Sequence, residues 1–234
     1  MSKDAILLKL SGEIFIDSKT KEASIDLANS IAKQIIALSD KFYFAVVIGG
    51  GNFFRGNKDS KALDLDQSYG HYIGMLATQM NGLILKNCFN KNNLNSKLLS
   101  ALPSPAICET LSQDGIHNAL KNDEILIFAG GLGSPFFSTD TTAVVRALQI
   151  NAKEVWKCTN TDGIYDKDPA KFKDAKLLKE VNYTEALDNN FQIMDSSAFA
   201  LARDNKLKIR VFNIFEEDAL IKISKNNNIG TTVY

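Results

Sequence analysis

The chain has 234 residues, of which 45% are hydrophobic and 23% are charged, with 27 Lys plus Arg against 27 Asp plus Glu. This composition excludes the disordered, collagen-like and disulfide-rich classes. The zero net charge argues against a nucleic-acid binder, which needs a basic excess to neutralise phosphates.

Five continuous apolar runs predict buried β-strands in this chain. They are Ala5–Leu10, Phe42–Ile48, Ile125–Ala129, Val155–Thr159 and Ile209–Phe212. Continuous rather than alternating hydrophobicity is typical of strands that are covered on both faces of a parallel sheet. The runs therefore favour a sheet with helices on both sides.

Helical periodicity appears between these runs. Apolar residues recur at spacings of three and four from Ile25 to Leu38, and further helices are predicted over about Gly70–Leu85 and from Asp140 to Leu148. Strands that alternate with helices indicate βαβ units and an α/β fold. The length and pattern predict one domain with at most two lobes.

The predicted helix over 70–85 carries an apolar stripe. Met75, Leu76, Met80 and Leu83 fall at helical spacing along it. Burial in the core is the default expectation for such a stripe, and a subunit interface is the alternative. A neutral chain leaves self-association open, because little long-range repulsion keeps its copies apart.

Four of the predicted strands run into loops that contain glycine. Their sequences are Lys9-Leu-Ser-Gly12, Ile48-Gly-Gly-Gly51, Ala129-Gly-Gly-Leu-Gly133 and Thr159-Asn-Thr-Asp-Gly163. Ligands of open α/β sheets bind outside the carboxyl ends of the strands, and glycine lets backbone N–H groups approach an anion closely. One such loop is most often only a turn, but four at equivalent strand ends predict a phosphate-rich ligand along this edge.

The common nucleotide-binding motifs do not match these loops. A Walker A loop ends in Gly-Lys-Ser/Thr, whereas Gly56 is followed by Asn57 and Lys58. The dinucleotide pattern G-x-G-x-x-G fails because Phe54 and Phe136 occupy its last position. The protein-kinase motifs H-R-D and D-F-G and the hydrolase motif G-x-S-x-G are also missing from the sequence.

Charged residues accompany the same loops. Lys9 and Lys157 each lie near the end of an otherwise apolar strand, where a buried ammonium group is costly unless it faces a ligand or a partner. Arg55 closes the triple-glycine loop, and Asp140 lies at a predicted helix start. Cations with a carboxylate to orient them suit phosphoryl transfer. Each also has a structural explanation: a lysine can snorkel, Asp140 can cap its helix, and Arg55 can be a solvated loop residue.

The cysteines and the chain's start indicate a cytosolic protein. Cys88, Cys108 and Cys158 are odd in number and widely spaced, and the only histidines are His71 and His117. This pattern favours buried reduced thiols over disulfides or a zinc site. The first apolar run is too short for a signal peptide, and no run approaches the ~20 apolar residues of a membrane helix.

Longer segments carry a family resemblance. They are ILLKLSGE, VVIGGGNFFRG, IGMLATQMNG, AGGLGSPFFSTD, DGIYDKDPAKFKDAK, MDSSAFALARDNKL and RVFN. Together they cover nearly the whole chain, which resembles the bacterial uridylate (UMP) kinases of the amino-acid-kinase fold. The GGGN-x-FRG and SPFFSTD segments are specific to uridylate kinases within that fold.

The resemblance implies a fold and an activity. The fold would be an αβα sandwich with a mostly parallel central sheet, of the carbamate-kinase-like type. The activity would be the ATP-dependent conversion of UMP to UDP in pyrimidine nucleotide biosynthesis, with Mg²⁺ carried by ATP. The expected protein is a cytoplasmic homohexamer without nucleic-acid or membrane partners. Residues 1–234 would form a single domain, with the acceptor part in about 1–150 and the ATP part in about 151–234.

The resemblance also implies site residues. Lys9 and Arg55 would neutralise charge on the transferred group, and Asp140 would hold the lysine in place. The residues implied to bind ATP are Lys9, Leu10, Ser11, Gly12, Gly51, Arg55, Thr159, Tyr165 and Asp168. Those implied to bind UMP are Gly50, His71, Leu132, Gly133, Ser134, Pro135, Phe136, Phe137, Ser138 and Thr139.

Three positions depart from the family pattern. His71 stands where the family has an aspartate that contacts UMP; either it hydrogen-bonds a hydroxyl, with a dependence on pH near about 6–7, or the contact is lost. Leu132 replaces a common threonine, which removes one side-chain hydrogen bond to UMP. The loop Ile14–Ile25 lacks the glycine-rich stretch that is tied to activation by GTP. We therefore expect weak or absent GTP activation.

Other interpretations of the sequence stay open. A relative of the same fold could phosphorylate a small carboxylate or carbamate, although the SPFFSTD loop argues against a substrate without a base. A nucleotide-binding regulator or storage protein could also keep the fold with little turnover. The charged run from Asp166 to Glu180 lacks the EF-hand spacing and is interpreted as a solvated segment beside the ATP pocket.

Overall fold

The computed structural model describes residues 3–188, 191 and 194–234, in which helices and strands alternate. The strands are β1 (Asp4–Leu10), β2 (Phe42–Ile48), β3 (Ser96–Ser100), β4 (Glu109–Thr110), β5 (Ile125–Ala129), β6 (Glu154–Thr159), β7 (Ile164–Tyr165), β8 (Leu177–Leu178), β9 (Glu180–Val181), β10 (Lys208–Asn213) and β11 (Thr231–Val233). The α-helices are α1 (Asp26–Leu38), α2 (Gly56–Ala62), α3 (Gln67–Lys91), α4 (Gln113–Lys121), α5 (Thr139–Gln149), α6 (Tyr183–Asp188), α7 (Ser196–Asp204) and α8 (Ala219–Lys225). A short 3₁₀ helix spans Gly12–Phe15.

Nine strands form one sheet, in the order β4-β3-β5-β2-β1-β6-β10-β11-β9. Only the β10–β11 pair is antiparallel among the neighbours in this sheet, and β7 and β8 form a separate antiparallel pair in the described chain. The predicted α/β fold with a mostly parallel central sheet is therefore confirmed. Because β1, β2, β5 and β6 run parallel, their carboxyl ends, and the four glycine loops, lie at one edge.

All five predicted strands are confirmed to within one residue at each end. The strand β3 was not predicted, because Ser96-Lys-Leu-Leu-Ser100 has only two apolar residues in a row. The predicted helix over 70–85 is longer in the structure. It ends at Lys91, and Asn93 then adopts a left-handed backbone (φ 59°) that stops the helix.

Alternation along the strands builds two cores, one on each face of the sheet. On β1, Ile6, Leu8 and Leu10 pack with residues of α1, α3 and α8. Leu7 packs on the opposite face, with residues of α4, α5, α6 and α7. Because side chains alternate along a strand, Lys9 points to the same face as Leu7, toward α5. The alternation of side chains along β1 therefore places the Lys9 ammonium group on the face of the sheet that packs against α5.

The default expectation for the α3 stripe was wrong for most of its members. Met75 is buried as expected, but the exposed fractions of Leu76, Met80 and Leu83 are 51%, 49% and 39%. These three side chains lie on the outer face of α3, because its inner face is occupied by other residues. The outer face of α3 is therefore an exposed apolar surface.

The cysteine prediction agrees with the structure. Cys88, Cys108 and Cys158 are all buried and free. Burial raises the pKa of the Cys88 and Cys108 thiols above their ordinary value, so both stay protonated near neutral pH. Separately, none of the helices in the described part of the chain is long and apolar enough to cross a bilayer.

Candidate active site

Two lysines lie side by side at the carboxyl edge of the sheet. The register of β1 against β6 pairs Lys9 directly with Lys157. Both follow the alternation of their strands, so both ammonium groups reach the α5 face. Like charges that face each other across neighbouring strands are destabilising, so this pair needs an anion between them.

Asp140 provides that anion from the first turn of α5. The Lys9 Nζ lies 2.9 Å from Asp140 Oδ1, and the Lys157 Nζ lies 2.6 Å from Asp140 Oδ2. The three side chains are mostly buried, with exposed fractions of 13%, 8% and 14% for Lys9, Lys157 and Asp140. We refer to these three residues as the Lys–Asp–Lys cluster.

The electrostatics of the cluster follow from burial and close charges. Burial alone would raise the pKa of Asp140, but the ammonium groups of Lys9 and Lys157 outweigh it and hold that pKa below its ordinary value of 3.8. Burial and the nearby Lys9 lower the pKa of Lys157 to about 8, although Asp140 opposes the shift. Near pH 7 the cluster therefore carries a net positive charge, which suits a site for a phosphate group.

The start of α5 is fixed by its own cap and by α7. Ser138 caps the helix, because its Oγ accepts hydrogen bonds from the Asp140 and Thr141 N–H groups. Asp195, the cap of α7, accepts from Ser138 Oγ and from Thr141 Oγ1 (2.7 Å). Asp195 lies in the segment MDSSAFALARDNKL, but nothing in the sequence indicates this role. Asp195 thereby joins the start of α7 to the element that presents Asp140.

The contacts of Arg55 are with residues outside the Lys–Asp–Lys cluster. Its guanidinium binds Glu13 Oε1 at 3.2 Å, and its Nε donates to the Gly51 carbonyl at 3.3 Å. The side chain is 62% exposed. Arg55 thus bridges the loops that follow β1 and β2, and Glu13 is a partner that the sequence analysis missed.

A buried row of polar residues on α3 holds three strand-end loops. Asn81 donates to the Gly49 carbonyl at 2.6 Å, and Thr78 Oγ1 accepts from the Gly130 N–H at 2.7 Å. Gln79 donates to Ser100 Oγ at 2.6 Å and to the Leu102 carbonyl at 2.9 Å. The role of these three residues was not predicted, because their only signal in the sequence is neutral polarity on an otherwise apolar helix face.

Glycine is required where these loops meet α3 and where they turn. A Cβ on Gly50 would lie 2.8 Å from the Ala77 Cβ and from the Gly74 carbonyl oxygen, so the loop can approach α3 only without a side chain. Gly130 adopts φ +73°, a conformation that favours glycine. Leu10 is one of the residues expected to bind ATP. Its side chain is fully buried, so it can contact a ligand only through its backbone.

The loop 132–139, in which UMP contacts are expected, follows β5 and ends at the first residue of α5. Phe136 and Phe137 are exposed, and Gly133 turns with φ +80° and donates to the Gly130 carbonyl. The His71 Nδ1 accepts a hydrogen bond from the Phe136 N–H at 2.8 Å. The structure therefore brings His71 to this loop, although the two are 65 residues apart.

A cavity of about 690 Å³ adjoins the cluster. Thr159, Tyr165 and Asp168, the three residues expected at the ATP base and ribose, all line it. Lys157 also lines the cavity, so the space opens directly onto the Lys–Asp–Lys cluster. An elongated ligand in this cavity would reach the cluster with one end.

Comparison with known proteins agrees with this geometry. Residues 4–213 match the sequence model of the amino acid kinase family. The uridylate kinase of Actinobacillus pleuropneumoniae is 41% identical over 97% of this chain and 96% of the relative, and that of Haemophilus influenzae is 42% identical over the same shares. The UMP kinase structure from Ureaplasma parvum superposes with a TM-score of 0.93 at 32% identity, covering 100% of this chain and 99% of that one.

We expect the Asp140→Asn variant to be less stable than the wild type by about 3 kcal/mol near pH 7, because it removes the negative charge that contacts both mostly buried ammonium groups, those of Lys9 and Lys157. The pKa of Asp140 lies below 3.8, so its stabilisation is present above that pH and is lost as the pH falls further. Urea unfolding at pH 7 and below pH 3.8 measures both effects. The control Asp4→Asn removes an exposed pair with Lys153, which solvent screens, and should cost much less stability; equal losses for the two variants would contradict the prediction.

Proposed function

This chain belongs to the amino acid kinase family and, within it, to the uridylate kinases, and from that membership we propose that it transfers the terminal phosphoryl group of ATP to UMP. The observation that carries the proposal is the Lys–Asp–Lys cluster at the edge where the glycine loops meet. A net positive, mostly buried group at this place matches the charge that develops on a phosphoryl group in flight.

The residues of the cluster act by position and charge. A phosphate oxygen of UMP attacks the terminal phosphorus of ATP, and the bond from that phosphorus to the bridging oxygen breaks, with its electron pair leaving on ADP. The attacking oxygen is already an anion, so the step requires no general base. Lys9 and Lys157 stabilise the negative charge on the transferred group, while Asp140 keeps both ammonium groups in place.

The two substrates are assigned to different parts of the chain. ATP occupies the cavity lined by Thr159, Tyr165 and Asp168, with its phosphates toward Lys157 and the backbone of the loop 10–12. UMP binds against the loop 132–139, beside Gly50. We propose that this division matches an acceptor part over about 1–150 and an ATP part over about 151–234.

We propose that magnesium enters on ATP. Among the described residues, no group of three or more His, Cys, Asp or Glu side chains is placed to hold a metal ion. Both oxygens of Asp140 are also bound by ammonium groups. The donor set thus fits no protein-only site, whereas Mg²⁺ commonly binds substrate phosphates and water. Bound there, the metal neutralises part of the charge on ATP, and no residue of this chain is assigned to it.

The alternative activities are less favoured. A kinase for a small carboxylate or carbamate would share the fold, but the similar proteins reported above carry the uridylate kinase name over almost their full lengths. A regulator without turnover would have no need for a mostly buried cluster of two cations and one anion. The proposed reaction belongs to pyrimidine nucleotide synthesis. The three free thiols suit a cytoplasmic location, where disulfides are rare.

We also propose that the outer face of α3 contacts a second copy in a homohexamer. Tyr69, Tyr72, Leu76, Met80 and Leu83 are exposed on this helix. No Asp, Glu, Lys or Arg occurs from Gln67 to Leu85. In a two-fold contact the same patch meets itself, and an uncharged face does so without repulsion.

We expect ATP-dependent turnover with UMP as acceptor and at least tenfold less with CMP or AMP. A coupled assay that follows ADP formation, with each nucleotide as acceptor in turn, measures this preference. Acetate and carbamate serve as acceptors for the rival kinase activity. Turnover with a carboxylate, or ADP formation independent of any acceptor, would contradict the proposal.

We expect the Lys9→Ala variant to lose about 10²–10³-fold in kcat, because one positive group of the transition-state site is removed. The matched control is Lys153→Ala, which removes an exposed lysine that pairs with Asp4 at the other end of β1. The control should keep near-full turnover. Near-full turnover of Lys9→Ala, with its fold intact by circular dichroism, would end the assignment of Lys9.

We expect a light-scattering mass near six times the 25.8 kDa of the chain. The Leu76→Glu variant should have a smaller mass, because it places a charge on the outer face of α3. Ile36→Glu changes a residue of similar exposure on α1 and should leave the mass unchanged. A monomeric wild type, or a Leu76→Glu variant with the wild-type mass, would contradict the proposed contact.

A further inference from the structure

His71 makes two contacts with Phe136, across the gap between α3 and the loop 132–139. Its Nδ1 accepts the Phe136 N–H at 2.8 Å, and the two rings lie 4.9 Å apart between centroids at an interplanar angle of 42°. The backbone amide and the ring of Phe136 thus both contact the imidazole of His71. The contact is specific to the histidine, because it uses a particular ring nitrogen.

Phe136 needs such support, because its backbone is in an unfavourable region. Its φ of +71° lies in the left-handed region that residues with a Cβ rarely adopt. Residues in that region persist only where their surroundings hold them. The bond from the Phe136 N–H to His71 Nδ1 ties this strained residue to α3. His71 therefore supports the backbone conformation in the middle of the loop.

We propose that His71 is a positioning residue that fixes the acceptor loop through the Phe136 amide, and that it does not accept a hydrogen bond from the UMP ribose. This inference rests on the proposed function, which assigns the loop 132–139 to UMP. An imidazole Nδ1 that accepts an N–H must keep its lone pair, so the ring is neutral and carries its proton on Nε2. The remaining nitrogen is then a donor, and it can meet a ligand oxygen only by donating to it.

This assignment limits what His71 can offer the substrate. A carboxylate there, as in the family pattern, accepts hydrogen bonds from sugar hydroxyls. The only accepting nitrogen of His71 is instead occupied by the Phe136 N–H. The accepting contact of the carboxylate is thus replaced by a contact that holds the loop.

The tautomer of His71 is directly measurable. The chain has only two histidines, so a long-range ¹H–¹⁵N spectrum of the imidazoles contains two sets of signals. A His117→Gln variant assigns them, because it removes the exposed histidine of α4. We expect His71 to be the Nε2–H tautomer in the protein without nucleotide. The Nδ1–H tautomer, or an equal mixture, would overturn the proposal whatever the enzyme's activity.

Two isosteric variants then test the loop role. Asn places its amide oxygen at the position of Nδ1, whereas Gln places its oxygen near the position of Nε2. We expect His71→Asn to keep KM for UMP within about threefold, and His71→Gln to raise it about tenfold, the effect of one hydrogen bond. In both variants kcat and KM for ATP should stay within about threefold of the wild type.

The outcomes separate this inference from the proposed function. Equal KM values for UMP in His71→Asn and His71→Gln, or a better value in His71→Gln, would overturn the loop role. If UMP is not phosphorylated at all, the proposed function fails while the tautomer measurement still decides on the Phe136 bond. A Phe136→Leu variant keeps the N–H and removes the ring; a KM increase as large as that of His71→Gln would show that ring packing, not the hydrogen bond, places the loop.

Discussion

The placement of Asp140 between Lys9 and Lys157 is the interaction on which the site depends. The register of β1 and β6 puts the two lysines opposite each other, and without an anion their repulsion would oppose the sheet itself. Asp140 removes that repulsion only if α5 begins at the right place. The cap by Ser138 and the hydrogen bonds that Asp195 accepts from Ser138 and Thr141 fix that start, so the packing of α5 and α7 serves the charge arrangement at the sheet edge.

The rest of the site is held by neutral groups. Thr78, Gln79 and Asn81 hold the loops with hydroxyl and amide hydrogen bonds, and His71 Nδ1 accepts a hydrogen bond from the Phe136 N–H. Neutral bonds fix the backbone without adding charge near the cluster. The charged pair of Arg55 with Glu13 is exposed, where solvent screens it. A net charge of zero for the whole chain is therefore compatible with a local excess of positive charge where a phosphate would lie.

The sequence predicts the strands and the loops more readily than the contacts between them. Lys9 and Asp140 stand out because each is charged beside a glycine loop in a parallel-sheet pattern. The pairing of Lys9 with Lys157 requires β1 and β6 to be neighbours, and a separation of 148 positions along the chain gives no sign of that. Asn81 and Gln79 are missed for a different reason. Neutral polar residues occur on either face of a helix, so polarity alone does not show that these side chains point inward to the loops.

The two faces of α3 connect the assembly to the site. The inner face carries the polar row that holds the loops after β2, β3 and β5, and the outer face exposes apolar side chains such as Leu76 and Met80. In the homohexamer that we propose, the outer face is covered by a second copy, so α3 is held from both sides. Any shift of the helix would move Gly49 and Gly130 together, because both are bonded to it. Association would then stabilise the same arrangement of loops that substrate binding requires.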